Sequence, residues 1–376
     1  MTKYRFDQIA INSTEKKKPV ESDRFTYLGL EHLDSGSLKV TRFGSETAPI
    51  GEKLVMHKGD VLFGKRRAYQ KKVAIAPFDG IFSAHGMVLR PKEEVVDKAF
   101  FPIFISSDYF LDAAIKISVG SLSPTINWRD LKELEFELPD LATQRKLAEL
   151  LWSINNTLEK YKQLISATDD LVKSQFIEMF GDPGTGFKYP SVQLGDLGMM
   201  ISGGTPSSKH PEYYGGGIPF ISTPCLGKNY IDENDAQTWL TEQGVKNSST
   251  HVIPAYSLMF GSRVGVGKSS INRCEMCTNQ DILSFVDIDT KQFSLIFLKA
   301  VLDQYSPYFD GQKRGATIKG IPSDIVKKTK IPTATMDLQM RYVSIVEQSD
   351  KSKFELKKAL SELTATYKRI IKENIG

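Results

Sequence analysis

The pattern of apolar and polar positions divides the chain into two mixed segments, each followed by a long helical segment. In the mixed segments, short apolar runs such as Val61-Leu62-Phe63 are bounded by glycine, proline and charged residues, which is typical of strands and turns. In the helical segments, apolar side chains recur at alternating steps of four and three, which is the a/d spacing of a coiled coil. The pattern therefore predicts two domains, 1–142 and 183–335, and two long helices, 143–182 and 336–376.

We expect the two helices to pack against each other, antiparallel, as a spacer between the domains. A helix rises about 1.5 Å per residue, so a seam of about 35 residues gives a rod roughly 50 Å long. The other possibility is that each helix lies on its own domain. The predicted seam residues are Leu147, Leu151, Ile154, Leu158, Tyr161, Ile165 and Val172 in the first helix, and Leu356, Leu360, Leu363, Tyr367 and Ile370 in the second.

The two halves of the chain share a series of landmarks at an offset of roughly 190 residues, which is typical of a tandem domain and too long for a solenoid repeat. We therefore predict an α/β (α+β) fold with two pseudo-two-fold-related domains. Each would be built on a twisted antiparallel sheet, with the coiled-coil helices between them. The corresponding landmarks are 25–29 and 218–222, Leu62-Phe63-Gly64 and Met259-Phe260-Gly261, Leu138-Pro139 and Ile331-Pro332, and Gln144 and Gln339.

Composition agrees with this organisation. At 376 residues the chain has room for two domains, each large enough to bury its own core. The net charge of +4 permits a polyanionic partner but does not require one. Three cysteines give no disulfide framework, and neither the first residues nor any later stretch has the apolar length of a signal peptide or a membrane span. We therefore expect an intracellular, cytoplasmic protein.

Several short motifs of the chain together resemble the specificity subunit of Type I restriction–modification enzymes, and the resemblance extends over essentially the whole sequence. In the first half, Ser83-Ala84-His85-Gly86 stands where that family has an Asn-Gln pair, and the Gly-Gly-Thr-Pro motif is lacking. The motifs that carry the resemblance are Glu178-Met179-Phe180-Gly181-Asp182-Pro183, Ile201-Ser202-Gly203-Gly204-Thr205-Pro206-Ser207, Glu212-Tyr213-Tyr214, Gly217-Ile218-Pro219-Phe220, Leu258-Met259-Phe260-Gly261-Ser262-Arg263 and Thr278-Asn279-Gln280-Asp281.

The resemblance implies a non-catalytic subunit that recognises double-stranded DNA. Each domain would bind one half-site of a bipartite target, and the helices would fix the distance between the half-sites. The helices would also dock two methyltransferase (modification) subunits, and restriction subunits would join that complex. S-adenosylmethionine, ATP and Mg are then expected on the partner subunits, with no cofactor or metal on this chain. A rigid spacer suits this role because both half-sites must occur at one spacing and one helical phase.

The predicted DNA contacts lie in loops that are rich in cations or small polar residues. Loop 65–72 has five cations that could neutralise phosphates or place an arginine on a guanine edge. Loops 118–125 and 311–317 could approach the DNA backbone closely. Solvated hairpin tips and ordinary loops are the alternative interpretation. The candidates are Lys65, Arg66, Arg67, Tyr69, Gln70, Lys71, Lys72, Ser121, Ser123, Lys209, Ser262, Arg263, Lys268, Lys313 and Arg314.

Two other motifs suggest chemistry that the spacing does not support. Gly267-Lys268-Ser269 ends like a phosphate-binding loop, but Ser262 stands where such a loop needs its first glycine. Cys274 and Cys277 have zinc-knuckle spacing without a second pair. Three alternatives remain: a nuclease or methyltransferase, a coiled-coil scaffold without DNA specificity, and the specificity subunit of a related fused restriction–methylation enzyme.

Overall fold

The computed structural model describes residues 1–314 and 320–375. The chain forms two compact units, of which the first comprises Met1–Gln163 with Lys357–Gly376 and the second comprises Leu164–Leu356. We refer to them as unit 1 and unit 2. Each unit contains one sheet-rich domain and part of each long helix.

Unit 1 is built on short strands joined by turns and a few short helices. Its strands are β1 (Thr2–Arg5), β2 (Ala10–Ser13), β3 (Lys16–Lys17), β4 (Tyr27–Leu28), β5 (Lys53–Met56), β6 (Val61–Phe63), β7 (Val73–Ile75), β8 (Gly80–Phe82), β9 (Met87–Pro91) and β10 (Glu135–Leu138). Its helices are α1 (Phe6–Ile9), α2 (Phe101–Ser106), α3 (Asp108–Lys116), α4 (Trp128–Leu131) and the first part of α5 (Leu141–Phe180).

Two sheets in unit 1 have the strand orders β2-β9-β6-β7 and β3-β5-β8-β4, and β1 pairs with β10. The neighbours are antiparallel except β4 and β8, which run parallel with Tyr27 opposite Ile81. Strand β6 is buried on both faces, since Val61 and Phe63 belong to one hydrophobic cluster and Leu62 to another. That arrangement follows from the alternation of side chains along a strand.

An aromatic cluster forms the main core of unit 1. The rings of Phe6 and Phe110 lie 5.0 Å apart, and those of Phe104 and Phe136 lie 5.3 Å apart, edge to face. All four side chains are fully buried. Because truncation of a buried phenylalanine costs about 3–5 kcal/mol, this cluster contributes a large part of the stability of the unit.

Unit 2 has the same kind of construction with additional short strands. Its strands are β11 (Gly181–Asp182), β12 (Gly186–Phe187), β13 (Ser191–Gln193), β14 (Met199–Ser202), β15 (Tyr214–Ile221), β16 (Tyr230–Ile231), β17 (Thr238–Leu240), β18 (Val252–Ile253), β19 (Leu258–Gly261), β20 (Ser269–Asn272), β21 (Met276–Thr278), β22 (Ile282–Val286) and β23 (Lys330–Pro332). Its helices are α6 (Glu242–Lys246), α7 (Leu295–Gln304), α8 (Ser306–Gly311), α9 (Ser323–Lys327) and the first part of α10 (Met336–Ile375).

The strand order of unit 1 returns in unit 2. Strand β6 lies between β9 and β7, and β19 lies between β22 and β20 in the sheet β14-β22-β19-β20-β16. The parallel pair of unit 1 has its counterpart in β15 and β21, where Phe220 lies opposite Cys277. Likewise β1 and β10 correspond to β13 and β23. The landmarks repeated in the sequence therefore occupy equivalent strands of the two units.

The two long helices pack together and run antiparallel. In unit 1, Leu147 near the start of α5 shares a cluster with Ile371 near the end of α10. In unit 2, the rings of Phe176 and Tyr342 lie 5.4 Å apart, edge to face, and Lys353 forms an ion pair with Asp169 at 2.8 Å. Each seam residue predicted from the sequence is buried or half-buried.

Each long helix begins with a buried glutamine that holds it to its own domain. The Gln144 amide donates to the carbonyls of Val95 and Pro139, at 3.1 and 2.8 Å, and its oxygen accepts from the Asp97 amide at 2.8 Å. Gln339 makes the same three contacts in unit 2, with Ser294 as the amide donor at 2.9 Å. This equivalent role explains why the glutamine appears in both copies of the repeat.

Helix α5 ends at Phe180 because the next residue is Gly181. Its φ of 82° lies in the left-handed region that favours glycine. A Cβ at this position would lie 2.4 Å from the carbonyl oxygen of Gly186. Both constraints require the absence of a side chain, so the helix stop predicted from the sequence has a local cause.

Candidate nucleic-acid interface

The basic loop of unit 1 connects β6 to β7 and has a defined shape. The Gly64 amide donates to the Lys72 carbonyl at 2.9 Å and closes the loop. Arg67 and Lys71 have left-handed backbones, with φ of 54° and 49°, on either side of a short turn. Non-glycine residues adopt this conformation infrequently, and such positions cluster at functional sites.

The cations of this loop have different environments. Lys71 forms ion pairs with Asp108 and Asp112, at 2.7 and 2.6 Å, and although burial opposes its charge, these carboxylates raise the pKa of Lys71. Lys72 donates to the Leu30 carbonyl at 2.6 Å. Both lysines were predicted DNA contacts and are engaged within unit 1. Burial, together with the charge of Lys16, lowers the pKa of Lys65.

Arg66, Arg67 and Tyr69 are the exposed members of the loop, while Gln70 is half-buried. Arg66 Nη1 lies 3.2 Å from His85 Nε2, a hydrogen bond in which the guanidinium donates. His85 must then be neutral, and its pKa is lowered by burial and by Arg66, Lys65 and Lys53.

Three loops of unit 1 meet at this place. The Arg66 amide donates to the His85 carbonyl at 3.2 Å, which joins the basic loop to the turn between β8 and β9. Arg66 also bridges to Thr125, and the Ile126 amide donates to the Lys65 carbonyl at 3.0 Å. The third loop also contains two predicted contacts, Ser121, which is exposed, and Ser123, which is half-buried.

Unit 2 places an equivalent set of loops together. The Gly261 amide donates to the Lys268 carbonyl at 2.8 Å, as Gly64 does to Lys72. The Ile321 amide donates to the Ser262 carbonyl at 2.7 Å, as Ile126 does to Lys65. Arg263 is therefore the counterpart of Arg66. Both Arg263 and Lys268 are exposed.

Three further predicted contacts of unit 2 differ in their exposure and pairing. Ser262 is only 6% exposed, and its hydroxyl donates to the Asp281 carbonyl at 3.0 Å. It supports the loop from within and is not presented to a ligand. Lys313 is paired with Asp310, whereas Arg314 is exposed and pairs through its backbone with Gly320. The remaining part of that predicted loop, Gly315-Ala316-Thr317, lies outside the described residues.

The Gly203-Gly204-Thr205 segment packs against the turn between β21 and β22. A Cβ on Gly203 would lie 2.1 Å from the Asn279 carbonyl oxygen, so only glycine permits this approach. The Thr205 hydroxyl contacts the exposed Gln280 side chain. Lys209, also a predicted contact, is exposed a few residues later.

The sequence did not identify Gln280 and His85 as candidates for the interface. Both lie in equivalent turns, 83–86 and 279–282, each closed by an amide that donates to the carbonyl three residues earlier. The signal available in the sequence is the position of Thr278-Asn279-Gln280-Asp281 in the repeat, opposite Ser83-Ala84-His85-Gly86.

The two motifs that resemble catalytic or metal sites lie in a hairpin loop and at a strand respectively. Residues 262–268 form a hairpin loop between β19 and β20, without the helix that follows a phosphate-binding loop. Cys277 is fully buried in β21. Within residues 1–314 and 320–375, no group of three or more His, Cys, Asp or Glu side chains could hold a metal ion.

Over the same residues, no helix is both long and apolar enough to cross a membrane.

Comparison with solved structures supports the fold over the whole length. A solved chain of a type I R-M system matches with a TM-score of 0.60 and 19% identity, covering 99% of this chain and 97% of that one. The S subunit of a Type-I restriction-modification system from M. genitalium matches with a TM-score of 0.55 and 15% identity, covering 100% and 96%.

Sequence comparison gives relatives of the same kind. The MjaIX specificity subunit of Methanocaldococcus jannaschii is 26% identical over 42% of this chain, and the match spans only 37% of that protein. The EcoR124I/EcoR124II specificity subunit of Escherichia coli is 26% identical over 58% of this chain and 56% of its own length. The HindI specificity subunit of Haemophilus influenzae is 24% identical over 81% of this chain and 84% of its own.

The profile of one protein family matches the chain twice, once in each half. That family is the Type I restriction modification DNA specificity domain, and the matched residues are 14–167 and 188–364. The two matches contain the loop sets of unit 1 and unit 2 respectively. The chain therefore belongs to the family of Type I restriction–modification specificity subunits, which are the non-catalytic, DNA-specificity components of type I restriction enzymes.

Proposed function

We propose that the chain recognises a bipartite DNA target, with one half-site bound by the loops of unit 1 and the other by the loops of unit 2. The observation that carries this proposal is the repetition of one loop set, with an exposed arginine at the same position in each copy. Two weakly discriminating contacts in one molecule multiply their selectivity, so a target with two short specified blocks is expected.

Phosphate contacts and base contacts fall to different residues of these loops. Arg67, Lys209, Lys268 and Arg314 are exposed cations that suit phosphates. Each phosphate neutralised lowers log K by about 0.9 per unit of log salt, so binding by several such contacts weakens steeply with salt. Base contacts carry the sequence information and come from side chains that donate or accept along defined directions.

The long helices also carry exposed apolar side chains that suit a docking surface. In the part of α5 that belongs to unit 2, Leu164 and Leu171 lie seven residues apart on one face and are about half exposed. On α10, Phe354 is 66% exposed. Exposed apolar side chains at helical spacing are typical of helix–helix association. We assign the face of α5 that carries Leu164 and Leu171 to the docking of a methyltransferase subunit, within a complex that contains two such subunits and a restriction subunit.

A docking experiment tests that assignment separately from DNA recognition. Leu164→Gln with Leu171→Gln keeps good helix formers on the exposed face and removes its apolar groups. Co-purification with the methyltransferase subunit should fall at least tenfold, while the melting temperature of the chain stays within about 2 °C. Lys173→Gln, on the same helix, is the matched control and should leave co-purification unchanged. Equal recovery of the double variant and the control would contradict the docking assignment.

The recognition proposal is tested with the complex of this chain and the methyltransferase subunit encoded beside it. The complex is incubated with a random-sequence DNA pool, and the retained fragments are sequenced at several salt concentrations. Enrichment of two short blocks around a fixed gap is expected, with retention that decreases steeply as salt rises. Retention without any enriched sequence, or without salt dependence, would refute the proposal.

A further inference from the structure

We propose that Arg66 and Arg263 are the specificity-determining residues of the two half-sites, each placing its guanidinium fork on a guanine edge, and that His85 and Asp281 are their positioning residues. This inference rests on the proposed function and identifies the side chains that would carry the discrimination.

The two arginines occupy the same place in two independently built loop sets. Each lies two residues after the glycine whose amide closes the loop, which is Gly64 in unit 1 and Gly261 in unit 2. Each loop also accepts a hydrogen bond from an isoleucine of the third segment, as described above. Unit 2 has Ser262 at the position equivalent to Lys65, so the positive charge beside the arginine is present in unit 1 only. The arginine is the cation that both copies retain at this point.

Each arginine has a side-chain partner in the turn that joins the equivalent strands β8–β9 or β21–β22. Arg66 Nη1 lies 3.2 Å from His85 Nε2, and Arg263 Nη1 lies 3.5 Å from Asp281 Oδ1. The Asp281 side chain is only 13% exposed, while that of Arg263 is 54% exposed. In unit 2 a nearly buried carboxylate therefore restrains a half-exposed arginine, whereas in unit 1 both Arg66 and its partner His85 are exposed.

Such restraint favours base recognition over phosphate contact. An arginine has five N–H donors in a planar fork, and guanine O6 and N7 accept two of them in parallel. Direction matters for this contact, whereas a flexible cation is sufficient for a phosphate. A partner that fixes the guanidinium beforehand reduces the rotamer entropy that is lost on binding.

The surroundings of Arg263 are shaped for its side chain. A Cβ on Gly320 would lie 2.9 Å from Arg263 Cγ and 3.1 Å from the Ser262 carbonyl oxygen. Any larger residue at 320 would therefore push the arginine stem away from its present path. In the turn that contains Asp281, the Thr205 hydroxyl contacts the exposed Gln280 side chain. An amide of this kind is the usual partner of adenine, so a mixed half-site suits unit 2.

The other cations of the loops are less suited to base recognition. Lys71 and Lys72 are bound to acceptors of unit 1, and Lys313 is paired with Asp310. Lysine also lacks the fork that distinguishes guanine bidentately. Arg67 is exposed, and we assign it to a phosphate.

The experiment maps modified adenines after expression of each variant with the methyltransferase subunit in a host that lacks its own system. Arg263→Ala should reduce discrimination at one guanine of one half-site by about ten- to hundredfold, while the gap and the other half-site stay unchanged. Arg66→Ala should do the same for the other half-site. Arg67→Ala and Lys209→Ala are the matched controls, and should lower modification equally at all sites without changing the motif.

Conservative variants keep the test informative if an alanine variant folds poorly. Arg263→Lys keeps the charge and loses the fork, so discrimination should fall while affinity at low salt is largely kept. Asp281→Asn should weaken discrimination at the same guanine, and a merely structural role would not single out one base. A motif unchanged in Arg263→Lys and Arg66→Lys, or wild-type half-sites without guanine, would overturn this inference. Absence of any split motif for the wild-type chain would instead refute the proposed function.

Discussion

Replacement of Gln144 by alanine should destabilise unit 1 selectively. The side chain is fully buried and makes three hydrogen bonds to backbone groups of Val95, Asp97 and Pro139. Each such bond contributes about 0.5–1.5 kcal/mol net to the free energy of unfolding. A backbone group that stays buried and loses its hydrogen-bond partner after the truncation adds a further cost. The Pro139 carbonyl is in a buried position, whereas Val95 and Asp97 are half-buried and regain water. We therefore expect a loss of about 3 kcal/mol in the free energy of unfolding of unit 1.

Tryptophan fluorescence gives a suitable assay because Trp128 and Trp152 lie in unit 1 and Trp239 lies in unit 2. In a Trp239→Phe background, a urea titration reports unit 1 alone. Gln163→Ala, an exposed position on the same helix, is the matched control and should change the free energy by less than about 0.5 kcal/mol.

The equivalent substitution in unit 2 provides an internal check. Gln339→Ala removes the same three contacts there, and should lower protection from hydrogen exchange in peptides of unit 2 while leaving β1 to β10 unchanged. A loss for Gln144→Ala no larger than that of its control would show that the glutamines do not hold the helices to their domains.

Three further outcomes are expected. Gly181→Ala should lower the melting temperature of unit 2 by several degrees, because it adds left-handed strain and a clash, whereas Gly217→Ala, with open space around its Cβ, should change it little. Stability of unit 1 should fall as the pH drops from 7.5 to 5, because burial and Arg66 hold the pKa of His85 below its ordinary value of 6.5. The unfolded state then binds more protons in that window. Because burial also lowers the pKa of His32 in the same unit, His85→Asn should reduce the dependence of the urea midpoint on pH without abolishing it. Asn272→Ala should destabilise unit 2, because its side-chain amide donates to the carbonyls of Pro254 and Cys274, and thermal melting followed by circular dichroism measures this loss.

The long helices were predictable from the sequence because their periodicity is local and persists for many turns. Helix α5 starts at Leu141 and ends at Phe180, within two residues of the predicted bounds 143 and 182. The internal repeat was predictable for a related reason, since buried strands such as β6 and β19 need the same apolar residues in both copies. In contrast, the parallel pairing of β4 with β8 depends on residues about fifty positions apart, which no local pattern specifies.

The candidate interface was only partly predictable. The cation-rich loop was visible as a composition feature, but the fate of each cation depends on distant partners. Lys71 is paired with Asp108 and Lys72 with the Leu30 carbonyl, 37 and 42 residues away. The hydroxyl of Ser262 donates to the Asp281 carbonyl, 19 residues away, and is therefore engaged within unit 2. Such pairings arise from the fold. The sequence therefore indicates which loop is basic, and the structure shows which of its side chains remain exposed.

The central claim is that the two units read two blocks of one DNA target. Its most direct measurement is the map of modified adenines across the genome of a host that expresses this chain with the methyltransferase subunit encoded beside it. The account predicts one motif, with two short specified blocks around a fixed unspecified gap. A single uninterrupted motif, or no modification although the two proteins form a stable complex, would contradict it.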